Sequence, residues 1–253
     1  MQLLAILLSF LVGNVCAFVI FRRYRLISWI FLLIVPIALI PFWIKTTYVH
    51  NHWFYWAKFF LIEILILFFL LVQSTSLKKK NWPFHLIYWN IIFNLLELII
   101  VSISFNFWGS YAIVIGGIFL ILSFPRSEDL KESNQGKGDF LCDLPYSWIC
   151  AYSLWTVLFF YSTFPHMTGI YITIILAPLF ISIMNRKLWL MSRIYTIAFY
   201  LICSFAFPQL GTIANTAHWK NEFINTIAPP AVFCMILICT FNTLSSLRKF
   251  SRL

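Results

Sequence analysis

The stretch that decides the fold class is WFYWAKFFLIEILILFFLLV, residues 53–72. From Leu61 to Val72 every residue except Glu63 is apolar, and the apolar residues do not alternate with polar ones. A helix of about 20 residues, rising roughly 1.5 Å per residue, spans about 30 Å, the thickness of the hydrocarbon core of a bilayer. Because a segment in lipid must satisfy its own backbone hydrogen bonds, this stretch predicts a transmembrane α-helix.

The rest of the chain has the same character. Hydrophobic residues make up 62% of its 253 residues and charged residues only 10%, which is too little polar surface to cover a water-soluble globule. The sequence therefore predicts an all-α fold, a polytopic transmembrane helix bundle that forms a single transmembrane domain over residues 1–253. About nine spans are expected, near residues 3–21, 26–44, 53–72, 84–103, 108–124, 146–163, 169–184, 188–207 and 228–247.

The basic residues predict an orientation for these spans. Of the 18 lysines and arginines, all but Lys45, Lys58 and Lys220 fall on one side of the arrangement, including Arg193 just inside span eight. Since positively charged loops are retained in the cytoplasm, the N-terminus is expected outside and the C-terminus inside, with residues 125–145 as a mobile cytoplasmic loop. This distribution accounts for the net charge of +10. The expected partner is therefore the lipid bilayer, and no nucleic acid.

Charged residues deep in spans three and four form the main candidate site. Such a residue costs about 2.5–3.5 kcal/mol on insertion scales, so it usually faces the bundle interior and finds partners there. Asn90, Asn94 and Glu97 share one face of span four by their i, i+4, i+7 spacing. Matching depths across the hairpin of these two spans predicts that Lys58 pairs with Glu97. It also predicts that Glu63 is bonded to Asn94 or protonated.

This polar seam has a functional and a structural interpretation. In the first, it lines a path for a solute or proton, and Glu63 and Glu97 carry protons or bind a cation. In the second, the same groups only hold helices together, as interhelical polar bonds often do. Two carboxyl groups and a lysine exceed what helix association needs, which favours the first interpretation. The leading hypothesis is a secondary transporter or permease-like protein for a small solute or ion, and a noncatalytic accessory or assembly subunit is one alternative.

Histidines in three predicted outer loops provide a further alternative. Converging imidazoles bind zinc and similar metals, and the weak candidates for such a metal site are His50, His52, His166 and His218. With a metal, the chain would be a membrane-embedded enzyme that acts on a lipid or lipid-linked substrate at the outer face. Histidine also occurs in polar interfacial loops without binding a metal. No cofactor and no catalytic residue are assigned from the sequence.

Two prolines lie inside predicted spans, Pro36 in span two and Pro178 in span seven. Each removes a backbone hydrogen bond and is expected to kink its helix. Transporters often place broken helices around a central site, so the prolines agree with the transport hypothesis.

Four stretches resemble an uncharacterised family of bacterial multi-pass membrane proteins that is known by a domain-of-unknown-function label. They are His52–Lys58, Asn94–Glu97, Ala151–Trp155 and Trp189–Pro208. The resemblance runs through most of the chain and implies a multi-pass protein of the bacterial inner membrane. It implies no established activity and contributes no catalytic residues.

Overall fold

The fold is almost entirely helical. The structure, a computed structural model, describes residues 2–46, 53–74, 82–105, 109–125, 130–132, 139–207 and 209–250. Every predicted span coincides with a helical segment, which confirms the predicted all-α class. The helices are α1 (Gln2–Arg23), α2 (Arg25–Trp29), α3 (Val35–Thr46), α4 (Trp53–Ser74), α5 (Trp82–Phe105), α6 (Ser110–Leu122), α7 (Tyr146–Thr163), α8 (Thr168–Met184), α9 (Trp189–Ala206), α10 (Leu210–Ile213) and α11 (Glu222–Phe250).

Among the described residues, seven helical segments are long and apolar enough to cross a membrane. They correspond to predicted spans one to four and seven to nine. The helix of span five, α6, has only 13 residues. That of span six, α7, has 18 residues but carries tyrosine, serine and threonine along its length. The predicted count of nine spans and their orientation therefore stay predictions.

Span two is not one regular helix. Residues Ile30–Ile34 form a π-helical turn between α2 and α3, and the Val35 amide donates to the carbonyl of Ile30. Pro36 follows at once, and it has no N–H to donate to Leu32. A wide turn relieves the clash of a proline ring with the preceding turn, and such turns are frequent at functional sites.

The chain divides into two compact units, each assembled from three separate stretches. Unit 1 comprises residues 1–94, 126–143 and 173–214, and unit 2 comprises 95–125, 144–172 and 215–253. Two of the boundaries fall inside α5 and α8, so hydropathy, which predicted a single transmembrane domain, does not mark them. In unit 1, α9 packs against α1 and α4.

Unit 2 is organised by two tryptophans of α7 that bond to α6. Trp155 Nε1 donates to the Ile113 carbonyl at 2.7 Å, and Trp148 Nε1 donates to the Leu120 carbonyl at 3.1 Å. The two donating tryptophans are two helical turns apart on α7, and the two accepting carbonyls are two helical turns apart on α6. The bonds therefore align α7 along α6. Helix α11 packs against both.

The polar interval between spans five and six contains a short β-hairpin. Strand β1 (Leu130–Glu132) pairs antiparallel with β2 (Phe140–Cys142), with Leu130 opposite Cys142. The mobile cytoplasmic loop predicted over residues 125–145 stays a prediction, and these two strands lie within it. Phe140, Cys142 and Leu144 are apolar and buried, so this end of the interval is held by packing.

Candidate functional site

The predicted seam residues of unit 1 include one direct contact between helices. Lys58 Nζ, on α4, donates a hydrogen bond to Asn94 Oδ1, on α5, at 2.7 Å. Lys58 is only 2% exposed, so this bond provides a polar partner for an ammonium removed from solvent. The sequence had predicted that Glu63 is bonded to Asn94 or protonated. The predicted pairing of Lys58 with Glu97 stays a prediction.

Glu63 is a buried acid of the site. Its residue is 7% exposed, and its Oε2 atom has no hydrogen-bond partner in the described part of the chain. Among the described residues Glu63 and Asn94 are not hydrogen-bonded to each other, and the Asn94 amide oxygen accepts from Lys58. Buried polar groups are normally paired, and each exception requires an explanation. A carboxyl group in this position is suited to binding a proton or a transient ligand.

The other two seam residues are on α5. Asn90 is buried, and its Oδ1 atom lacks a hydrogen-bond partner among the described residues. Glu97 is buried one helical turn beyond Asn94. The spacing predicted from sequence is therefore preserved on a continuous helix.

A cluster of aromatic side chains surrounds the beginning of α4. We call it the tryptophan cluster, and it consists of Trp43, Trp56, Phe59 and Phe205. Phe59 lies 5.8 Å from Trp43 and 5.2 Å from Phe205 between ring centroids, and it is fully buried. Such tilted and edge-to-face contacts are favourable beyond simple apolar burial. The cluster packs against the part of α4 that also carries Lys58.

A second aromatic group, the phenylalanine cluster, lies toward the other end of α4. Phe140 of β2 is 4.4 Å from Phe69 and 5.8 Å from Phe84 between ring centroids. Glu63 comes four residues after Phe59 and six before Phe69, or about 6 Å and about 9 Å along the helix axis. Along α4, Glu63 therefore lies between the tryptophan cluster and the phenylalanine cluster.

Polar contacts surround the phenylalanine cluster. Arg22 Nε donates to Asp139 Oδ1 at 3.0 Å, and Arg22 Nη2 donates to Asp139 Oδ2 at 2.7 Å. Arg25 Nη1 donates to the Gln73 carbonyl at 2.8 Å, and Tyr195 Oη donates to Gln73 Oε1 at 3.3 Å. The arginines that predicted a cytoplasmic loop are thus also structural donors to the hairpin and to the end of α4.

Arg193 is the site residue that sequence reasoning missed. It was counted among the loop cations that set orientation, yet it is 4% exposed on α9. Its Nη1 donates to the Ile174 carbonyl at 3.4 Å, and Thr196 Oγ1 donates to the same carbonyl at 3.5 Å. The reason is Pro178, four residues after Ile174, which has no N–H to satisfy that carbonyl. Two features of the sequence could have indicated this contact, namely Pro178 inside predicted span seven and Arg193 in the span that follows it.

The predicted outer histidines are only partly described. The segments of His166 and His218 lie together in unit 2, where the Thr216 amide donates to the His166 carbonyl at 3.1 Å, and both side chains are exposed. His50 and His52 lie outside the described residues. Within the described ranges, no group of three or more His, Cys, Asp or Glu side chains could hold a metal ion. The metal site stays a prediction.

These features define a class: an all-helical protein built around apolar segments long enough to cross a membrane. A family model matches residues 1–249, and the chain belongs to that family, a family of unknown function, DUF5692. No curated protein and no solved structure matches the chain. The membership agrees with the resemblance to an uncharacterised family.

Proposed function

We propose that this chain is a polytopic protein of the bacterial inner membrane that works as a secondary transporter or permease for a small solute or ion. It has nine spans, with the N-terminus outside and the C-terminus cytoplasmic. The path runs through unit 1 along Lys58, Glu63, Asn90 and Asn94. Glu63 is the group that exchanges a proton or cation during transport, and Lys58 holds Asn94 in place.

One observation carries this proposal: Glu63 Oε2 is buried and has no hydrogen-bond partner in the described part of the chain. An ionisable group inside a membrane-spanning segment is expensive to maintain, by about 2.5–3.5 kcal/mol on insertion scales. A purely structural group would recover that free energy through a bond, as Lys58 does with Asn94. An acid that forms no such bond is suited to binding a ligand reversibly.

The position of Glu63 along α4 supports the same function. The tryptophan cluster lies on one side of it and the phenylalanine cluster on the other. A transport site has to be closed to at least one side of the membrane at a time, and a site near the middle of the bilayer meets this requirement. Two aromatic closures around one acid therefore fit a path better than a catalytic pocket open to substrate.

Flux through purified protein in liposomes tests the proposal. Vesicles loaded with a pH-sensitive dye would report proton movement driven by a potassium diffusion potential, and parallel samples would carry sodium or potassium gradients. We expect flux with the natural chain and its loss in Glu63→Gln, which keeps the shape of the side chain. Glu222→Gln, at the exposed start of α11, is the matched control and should retain flux. Equal flux in Glu63→Gln and the natural chain would refute the proposed role of Glu63.

A further inference from the structure

Strand β2 is buried at a place where the sequence is otherwise polar. Phe140 is 1% exposed, and Cys142, two residues on, is fully buried. The Phe140 ring packs on Phe69 of α4 and on Phe84 of α5, which are the two helices that carry the seam. A connecting segment normally runs over the surface, so one that inserts an aromatic ring between two helices is exceptional.

The hairpin is held by charged side chains more than by its own strands. Each strand has three residues, too few for an isolated hairpin to be stable in water. Arg22 binds both carboxylate oxygens of Asp139, immediately before β2, and the Asp139 side chain is 8% exposed. Arg186 donates to Asp143, immediately after β2, in a more exposed pair. Ion pairs thus flank the strand that carries Phe140.

We propose that β2 is a movable plug that closes the phenylalanine-cluster end of the path to Glu63, and that the Arg22–Asp139 pair is its latch. This inference rests on the proposed transport function for the existence of a path, while the movement of the plug can be measured without transport. When the pair separates, Phe140 leaves the Phe69 and Phe84 rings, and water reaches α4 below them. The Arg22 side chain is 34% exposed, so water can replace the carboxylate around its guanidinium when the pair separates.

Thiol accessibility in lipid nanodiscs tests the plug, since both faces of a nanodisc are open to reagent. A charged methanethiosulfonate reagent would be added to a Glu63→Cys chain, and modification of Cys142 and of the introduced thiol would be followed by peptide mass spectrometry. With the latch intact, both thiols should react slowly. Adding Arg22→Gln should raise both rates about tenfold, which is the factor expected from losing a bidentate, charge-assisted contact of about 1.4 kcal/mol.

Two further variants make the test specific. Arg23→Gln removes the neighbouring arginine, whose side chain is exposed over Tyr24, and should leave both rates unchanged. Asp139→Asn alone, and combined with Arg22→Gln, should give the same rates as Arg22→Gln, because one interaction is removed in all three. Asp139→Asn preserves side-chain shape, so it also serves if Arg22→Gln fails to fold.

The outcomes separate the plug from the transport function. A higher modification rate at Cys142 without a higher rate at position 63 would overturn the proposal, because the hairpin would then move without covering a path. Unchanged rates at both thiols would overturn it as well. A rise at both, in a chain that shows no flux in liposomes, would support the plug while refuting transport of the tested ions.

Discussion

Lys58 and Asn94 are joined across two helices by a 2.7 Å hydrogen bond from the ammonium to the amide oxygen. The bond fixes the rotation of α4 relative to the first half of α5. Glu63, five residues further along α4, has a carboxylate oxygen, Oε2, with no hydrogen-bond partner among the described residues.

Replacing Asn94 should show how much this bond contributes to stability. Asn94→Leu removes the acceptor from a buried ammonium and should lower the free energy of unfolding by about 2 kcal/mol, the usual worth of a hydrogen bond to a charged group. Asn94→Asp keeps an acceptor and should cost less. Thermal unfolding of the purified variants in nanodiscs is the measurement, and an Asn94→Leu chain as stable as the natural one would show that the bond is unimportant.

Gly109 should tolerate no side chain. Its φ is +92°, and an added Cβ would lie 2.5 Å from Pro229 Cγ on α11. Gly109→Ala should destabilise unit 2 by about 2–3 kcal/mol, because the left-handed backbone and the clash both oppose it. Gly13 in α1 has open space around it, so Gly13→Ala is the control and should be neutral or stabilising. Comparable melting temperatures for the two variants would contradict this account.

The tryptophans of α7 should matter through their indole N–H groups. Trp155→Phe retains an aromatic ring and loses the bond to the Ile113 carbonyl, so we expect a loss of about 1 kcal/mol. Trp89→Phe, at an exposed tryptophan of α5, should change stability much less. Denaturant titration of both variants in the same lipid checks this. If they unfold alike, the indole bond is not what aligns α7 with α6.

Pro178 and Arg193 should be energetically coupled. Arg193→Leu leaves the Ile174 carbonyl without its guanidinium donor, and we expect a marked loss of stability. In a Pro178→Ala background, the new N–H of residue 178 can satisfy that carbonyl within α8, so the same replacement should cost about 1 kcal/mol less. A double-mutant cycle measured by thermal unfolding gives the coupling, and strict additivity would show that proline and arginine act independently.

The parts of the fold that sequence analysis predicted well are those that depend on local composition. Each predicted span contains a helix, since an apolar run of sufficient length has few alternatives in lipid. The predicted helix boundaries were less accurate where a proline or a glycine lies near the end of a helix. Gly109 delays the start of α6, and a π-helical turn precedes Pro36. At the hairpin, the alternation of buried and half-buried residues over Phe140–Cys142 is too short to predict a strand.

The sequence by itself determined the helical class, the apolar segments and the residues Lys58, Glu63, Asn90, Asn94 and Glu97 as the polar groups within spans. These follow from composition and spacing along one helix. Only the tertiary structure decided that Lys58 binds Asn94, that Phe140 packs on Phe69, and that Arg193 reaches a carbonyl exposed by Pro178. The physical reason is that such contacts depend on the depth and rotation of segments far apart in the chain, and hydropathy contains no information about either.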